Sequence, residues 1–444
     1  MSKAMEEIEQ ALLNRWPATR SNPTLERISL LADLLGSPQF SYPTIHIAGT
    51  NGKTTTTRII DVLAMELGLR TGRFTSPHLE SFLERICING EPISEAFMSA
   101  TYKDVSPYFQ LVDERMSHRL SFFEAITGLA FAAFAEFPVD VGIFECGMGG
   151  EWDSTNVIDA KVSVVTPIGL DHTQYLGDTL GAIAQTKSGI IKPGSFAVFA
   201  RQELDPAQAL MKKCAEVEAT PIREGIEYQV ASRKLAVGGQ LLSIKGVHGD
   251  YEDLFLPLHG EHQASNAATA LAAIEVFAGE SKLDDELVRR AFASATSPGR
   301  CEIVLRNPTV IIDAAHNPHG ATSLRRTIES EFDFDSVIGI VAVMGDKDTN
   351  GILEQFEAIM TTVIITRNSS HRAAPIEELA SEAREVFGEH RTLTKDSLES
   401  AIEAAITQAK FENEMNEKSC AVLIAGSVIS AGEARCIIRK NYSK

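Results

Sequence analysis

Residues 45–57 read Ile45-His-Ile-Ala-Gly-Thr-Asn-Gly-Lys-Thr-Thr-Thr-Thr57, and the fold turns on how they are read. Ile45 to Ala48 is a short apolar run with Pro43 just upstream, which suits a buried strand. Gly49 to Gly52 makes a tight turn, and Lys53 opens a stretch that reads as helix to about Gly68. A strand, a glycine turn and a helix N-terminus together form an anion site. Backbone N–H groups and the helix dipole point at a phosphate, and Lys53 adds a mobile positive charge. The usual P-loop has an earlier glycine where this chain has Ile47, so the loop is the shorter Gly-Thr-Asn-Gly-Lys form. A plain strand-turn-helix with incidental Lys53 and Thr54 is the alternative, and the flanking strand and helix favour phosphate.

At 444 residues the chain is long for one core, which points to two domains. Hydrophobic residues at 44% and charged residues at 23% make an ordinary globular composition. The net charge of −19 argues against nucleic acid as a partner, because phosphate backbones demand a basic face. A nucleotide binder of this charge must concentrate its basic residues locally, as at Lys53. The six cysteines show no Cys-x-x-Cys pair and no histidine at zinc spacing, as expected of thiols in a reducing compartment. Met1-Ser-Lys-Ala-Met-Glu-Glu7 does not read as a signal peptide, and the apolar run Ala125 to Ala135 is too short to span a membrane. The expectation is a cytoplasmic, soluble monomer with no membrane partner.

Helical spacing is found at 5–16 and 24–35, around a turn from Pro17 to Pro23. After the phosphate loop, Arg73 to Glu80 reads as a short strand entering a proline-bearing loop, and Glu84 to Ile88 as a strand closed by Asn89-Gly90. Helices are predicted at 94–116 and 121–136, the second apolar almost all round and therefore buried. Val139 to Glu145, Lys161 to Thr166 and Ser195 to Ala200 read as core strands. Strands alternating with helices predict an α/β fold: a doubly wound, mostly parallel sheet with its functional loops at the strands' C-terminal ends. Residues 226–258 look instead like a small antiparallel portion, followed by helices at 262–278 and 283–294. Ser297-Pro-Gly-Arg300 is the predicted boundary between a domain at 1–296 and a smaller Rossmann-like α/β domain at 297–444. The latter has strands at 309–313, 337–343, 361–366 and 420–425, with helices at 319–330, 349–359, 375–387, 395–409 and 431–439.

Glu145 ends an apolar strand before Cys146-Gly-Met-Gly-Gly150, the place from which an acid approaches a metal opposite a phosphate loop. A solvated strand-end carboxylate is the plainer reading. Asp171-His172 follows another strand of the same sheet and should reach the same edge, as a metal or phosphate group or as a structural histidine. Lys187 lies on a helix among mostly uncharged residues and reads on physics alone as a packed surface lysine. Asp313-Ala-Ala-His316-Asn317 follows the first strand of the second domain, placed either for ligand contact or for capping the next helix. Arg300 either adds charge to a bound phosphate or solvates a linker.

Taken together and in order, several segments resemble one family. They are Gly49 to Lys53, Thr75-Ser-Pro-His-Leu79, Glu145 with Gly147-Met-Gly-Gly150, Asp153 to Asn156, Asp171-His172 with Leu176-Gly177, Gly260-Glu-His-Gln263 with Asn266, and Asp313 to Asn317. The chain resembles the folylpolyglutamate synthase family, including its bacterial members that also act as dihydrofolate synthase, within the Mur ligase superfamily. The resemblance covers nearly the whole chain. It implies an ATP-dependent amide ligase that phosphorylates a substrate carboxylate and lets the amine of L-glutamate attack the acyl phosphate. The acceptor would be a folate, or dihydropteroate. By position, Asn51, Gly52, Lys53 and Thr54 would bind the ATP phosphates, and Ser76, Glu145 and His172 would hold Mg2+, with a monovalent cation such as K+ as a further candidate. Lys187 matches a lysine that is carbamylated in many members and would then be a metal ligand. Asn266, Arg300, Asp313 and His316 would contact ATP. Thr24, Glu26, Arg27, Ser121, Phe122, Phe123, Glu124, Trp152, Asp153 and Ser154 match pteroate-binding positions.

Two departures stand out. Thr54-Thr55 occupies the place of a Gly-Ser common in the folate members, and Glu151 stands where an arginine is common, reversing a charge near the substrate. A cell-wall Mur ligase is the nearest alternative, although only 44 residues precede the first strand, too few for the extra N-terminal domain such enzymes carry. A P-loop NTPase without ligase chemistry is the other, and it leaves Arg300, Asp313 and His316 without a role.

Overall fold

A computed structural model of the chain describes residues 2–15, 24–415 and 419–442. The predicted turn from Pro17 to Pro23 lies outside the described residues. The chain divides into two compact units, one of Met1–Lys234, Leu241–Leu256 and Ala264–Thr296, the other of Leu235–Gln240, Pro257–Gln263 and Ser297–Lys444.

In the first unit, α1 (Lys3–Leu13) and α2 (Glu26–Leu34) precede β1 (Thr44–Ala48) and α3 (Lys53–Glu66). Then come β2 (Thr71–Phe74), β3 (Ile86–Ile88), β4 (Glu91–Pro92), α4 (Glu95–Arg115), α5 (Phe122–Glu136) and β5 (Val141–Glu145). They are followed by β6 (Val162–Val165), α6 (Thr173–Leu176), α7 (Leu180–Ser188), β7 (Phe196–Phe199), α8 (Leu204–Val217) and β8 (Thr220–Arg223). These strands form one sheet in the order β4-β3-β2-β5-β1-β6-β7-β8. From β2 to β8 every pairing is parallel, and β3 and β4 add an antiparallel edge. Every residue of β1 and β5 is buried, as a strand covered on both faces requires. Ile47 pairs with Glu145 and Ala48 with Val165, so β1, β5 and β6 end level. Their following loops therefore leave from one edge, and that register assembles the candidate site.

Helix α5 shows why an all-round apolar helix ends up inside. Ser121 and Glu124 close a capping box at its start, and ten of its residues from Glu124 to Phe134 are buried. Leu129, Phe131 and Phe134 join Phe74 and Phe144 of the sheet in one core cluster with Ile28 and Leu31 of α2. After β8 the pattern changes, as expected, to a three-stranded sheet of β9 (Gln229–Ala236), β10 (Gly239–Lys245) and β11 (Asp250–Leu256), with β10 in the middle. The two- and four-residue links between them allow only antiparallel neighbours. Helices α9 (Glu261–Ala278) and α10 (Asp285–Ser294) follow.

The second unit holds β12 (Glu302–Arg306), β13 (Thr309–Ile312), α11 (Pro318–Glu331), β14 (Ser336–Val341), α12 (Thr349–Glu357) and β15 (Thr362–Ile365). It ends with α13 (Ile376–Phe387), β16 (Thr392–Thr394), α14 (Leu398–Met415), β17 (Cys420–Ala425) and α15 (Val428–Tyr442). The sheet order is β12-β13-β17-β14-β15-β16, parallel except where β12 joins β13. Side-chain alternation places helices on both faces. Ile311 packs with α11, α12 and α13, whereas its neighbours Val310 and Ile312 pack with α14 and α15.

Four short strands escape the sequence reading: β4, β8, β12 and β16. Each has two to five residues, too few for alternation to show, and all lie at or next to a sheet edge. The predicted strand Glu84 to Ile88 is corrected too. Phe82–Arg85 is a 3-10 turn capped by Ser81, and only Ile86–Ile88 pairs. No helix among the described residues is long and apolar enough to cross a membrane. None of the six cysteines is in a disulfide; five are buried, and Cys436 is exposed.

Candidate active site

The phosphate loop is held by its neighbours as well as by its own turn. Thr50 N–H and Asn51 N–H donate to the Pro167 carbonyl at 3.0 and 3.3 Å, and Thr50 Oγ1 lies 3.0 Å from both the carbonyl and the N–H of Gly169. Gly49 has φ +145°, and a Cβ there would lie 1.9 Å from Thr166 Oγ1. Gly52, with φ +88°, turns the chain into α3, and a Cβ there would lie 2.4 Å from Asn266 Oδ1. Both positions need glycine for conformation and for space. Asn266, from α9, is thus placed directly against the loop.

The cations converge. Lys53 Nζ donates to the Gly49 and Thr50 carbonyls, both at 3.0 Å, and Lys187 Nζ donates to the same Gly49 carbonyl at 2.8 Å. Lys187 is no surface lysine: it is buried near the C-terminal end of α7. Burial, and then the nearby Lys53 ammonium, lower its pKa to about 7. Opposite them, Thr54 Oγ1 donates to both oxygens of Glu145, at 2.9 and 3.1 Å, and Glu145 is buried. The departure at Thr54 thus has a definite use, as a hydroxyl clasping the strand-end acid.

His172 adopts a left-handed backbone at the start of α6, and its N–H donates to Asp171 Oδ1 at 2.9 Å. Ser76 is half-buried in the loop after β2. Among the described residues, no three His, Cys, Asp or Glu side chains gather as a metal cage.

The residues matched to pteroate binding fall into two groups. Arg27 and Glu124 form a buried ion pair, with Arg27 Nε at 2.9 and 3.2 Å from the two carboxylate oxygens. Glu124 also accepts Ser121 N–H at 2.7 Å, so this pair locks α2 onto the start of α5. Thr24 accepts the N–H of the exposed Glu26 at 3.2 Å. Phe122 and Phe123 are partly buried, with the Phe123 ring 5.8 Å from that of Phe74. In the second group, Asp153 is buried and accepts Met148 N–H at 2.9 Å, Thr155 N–H at 3.0 Å and Thr155 Oγ1–H at 2.6 Å. Burial still pushes its pKa above the usual carboxylate range. Ser154 begins the 3-10 turn that Asp153 caps, and Trp152 lies against Gly149. Exposed Glu151 has its backbone fixed, its N–H donating to the Thr186 carbonyl at 2.8 Å.

In the second unit, Asp313 caps the end of β13. Its Oδ2 accepts Cys301 N–H and its Oδ1 accepts Ala315 N–H, each at 2.7 Å. Burial raises its pKa, and Arg300 acts against that rise. His316 Nδ1–H donates to the Ala314 carbonyl at 2.9 Å, and Asn317 caps α11 by accepting Gly320 N–H at 2.8 Å. Three residues of the first unit escaped the sequence reading. Thr166 packs against Gly49. His46 is fully buried on β1, with Nε2 at 2.7 Å from Thr155 Oγ1. Arg85 is buried at the end of the 3-10 turn that leads into β3. A polar residue inside an apolar strand was the available signal for His46; Arg85 gave none.

Comparison with known proteins agrees with this architecture. The Mur ligase middle domain matches residues 47–274, and the Mur ligase glutamate ligase domain matches residues 299–428. The dihydrofolate synthase/folylpolyglutamate synthase of Mycobacterium tuberculosis is 46% identical, over 98% of this chain and 94% of that protein. The structure of Mycobacterium tuberculosis folylpolyglutamate synthase complexed with ADP superposes with a TM-score of 0.94 at 47% identity, covering 98% of each chain. Escherichia coli FolC in complex with DHPP and ADP superposes with a TM-score of 0.86 at 30% identity, covering 99% of each. With a relative so similar over almost its whole length, and with both domains matched in order, the chain belongs to the dihydrofolate synthase/folylpolyglutamate synthase family of Mur ligases.

Proposed function

We propose that this protein joins L-glutamate to the carboxylate of a folate, and also to dihydropteroate, at the cost of one ATP. The observation that carries the reading is the convergence of Lys53 and Lys187 on the Gly49 carbonyl, beside a Glu145 clasped by Thr54. A carboxylate is a poor electrophile, and its phosphorylation requires two anions to approach each other. A buried and a half-buried cation with donors already oriented lower that barrier. The loop N–H groups and Lys53 grip the nucleotide phosphates, and Asn266 borders them. The acceptor carboxylate oxygen attacks the γ-phosphorus, and ADP leaves. The glutamate amine then attacks the acyl carbon, loses a proton, and inorganic phosphate departs with the C–O electron pair. Arg300 and His316 are the second unit's nucleotide-contact residues in this reading, and Asp313 fixes the backbone of the loop that carries them by accepting from Cys301 and Ala315.

Glu145 and Thr54 offer the hard oxygen donors that suit Mg2+, with His172 and Ser76 as further ligands. When bound, such an ion supplies charge neutralisation at the phosphoryl oxygens. Lys187 adds to this set as a carbamate: its neutral amine takes up CO2, releases a proton and becomes an anion. Its burial, and a second ammonium at the same carbonyl, favour the neutral amine.

The test is ADP release with ATP, magnesium, L-glutamate and either dihydropteroate or a reduced folate monoglutamate, each omitted in turn. Turnover is expected only with ATP, glutamate and an acceptor together. ADP release that ignores both acceptor and glutamate would support the bare NTPase reading instead.

A further inference from the structure

Arg85 is a buried cation of the first unit that forms no ion pair with a carboxylate among the described residues. It is 9% exposed, its Nε–H donates to His78 Nδ1 at 3.0 Å, and its guanidinium lies 5.0 Å over the Phe122 ring. Among the described residues no carboxylate lies within ion-pairing distance of it. The other buried arginines differ. Arg27 is paired with Glu124 at 2.9 Å and Arg73 with Asp61 at 2.7 Å. A guanidinium does not readily give up its charge, so burying one without an anion is costly unless the anion arrives from outside.

Its surroundings say where that anion sits. Arginine only donates, so His78 Nδ1 accepts, and His78 is neutral with its proton on Nε2. His78 therefore aims the guanidinium without neutralising it. Glu84 is spent on the N–H groups of Leu79, Glu80 and Ser81, at 3.0, 3.2 and 3.0 Å. Glu145, the acid that acts most strongly on Arg85, is clasped by Thr54 of the phosphate loop. The guanidinium thus has Phe122 as an aromatic wall and feels the charge of the carboxylate at the phosphate loop, and its Nη groups have no acceptor among the described residues.

We propose that Arg85 receives the carboxylate of the acceptor substrate and holds it for phosphorylation. This rests on the ligase reading above. A planar fork matches a carboxylate in a two-point contact, and Lys53 and Lys187 already serve the phosphate side. The γ-phosphate is the other oxyanion of that site, and the test separates the two.

The test is calorimetric binding of dihydropteroate, of its primary carboxamide and of a non-hydrolysable ATP analogue to the wild type, R85K and R85Q. Wild type is expected to prefer the carboxylate about 10- to 100-fold, the range of a charge-assisted contact. R85Q should bind both acceptors alike, at the carboxamide level, with nucleotide affinity unchanged. R85K should fall between, because a point charge replaces the fork. Three results would overturn the assignment: a carboxylate preference that survives in R85Q, a loss confined to the nucleotide, or an equal loss for both acceptors. If R85Q does not fold, the carboxylate preference of R85K decides in its place. A wild type that binds neither acceptor refutes the ligase reading itself, whereas one that binds both equally removes only the role of Arg85.

Discussion

The loops after β1 and β13 both lead from a parallel strand through a turn into a helix, yet they spend their polar groups differently. After β1, Lys53 and Lys187 are satisfied by backbone carbonyls alone, both of them reaching Gly49. A carbonyl dipole is a weak partner for a buried ammonium, and a phosphate oxygen would displace it with gain. After β13, both oxygens of Asp313 are taken by the N–H groups of Cys301 and Ala315, and the Asn317 side chain caps α11. The first loop keeps its charges for a ligand, and the second commits them to its own shape. Topology places both at a strand's C-terminal end, and only the hydrogen-bond partners tell them apart.

Substitutions can break that contrast. The largest effect is expected at Lys53→Ala, with kcat/KM for ATP falling about 10²- to 10³-fold, the usual cost of removing one preorganised electrostatic donor. The coupled ADP assay reads it, and the melting temperature should barely move. Next is Lys187→Ala, expected to lose about 100-fold in kcat, with partial recovery on adding bicarbonate or a short carboxylic acid. Unchanged turnover in that variant would remove the carbamate. In the second unit the cost should fall on stability. Asp313→Ala leaves two buried N–H groups without their acceptor, and about 1–3 kcal/mol should be lost in urea denaturation. The smallest effect is expected at Asn317→Ala, about 1 kcal/mol for a lost helix cap. If Asp313→Ala proves as stable as the wild type but inactive, the contrast between the loops fails.

Much of this was legible in the residues. Gly49 to Lys53 announces a phosphate loop because few other uses require glycines, a lysine and a helix start in that order. The level ends of β1, β5 and β6 followed from alternating strands and helices, which placed Glu145 and Asp171-His172 on one edge. Lys187 was not legible: its neighbours suggested a solvated helix face, and its burial depends on how α7 docks beside the phosphate loop. Arg27 and Glu124 were matched as ligand-binding residues, yet their mutual ion pair depends on α2 meeting α5, some 97 positions apart. Arg85 was hidden for the same reason, since burial without a counter-ion is a tertiary property. Strands as short as β16 carry too few residues for a period to register.

The most direct test follows oxygen. An acceptor with an 18O-labelled carboxylate, turned over with ATP and L-glutamate, should deliver one labelled oxygen to each phosphate released, because the acyl phosphate breaks between carbon and that oxygen. Amide product accompanied by unlabelled phosphate would contradict the transfer of a phosphoryl group onto the carboxylate, and with it the role given to the loop at Gly49 to Lys53.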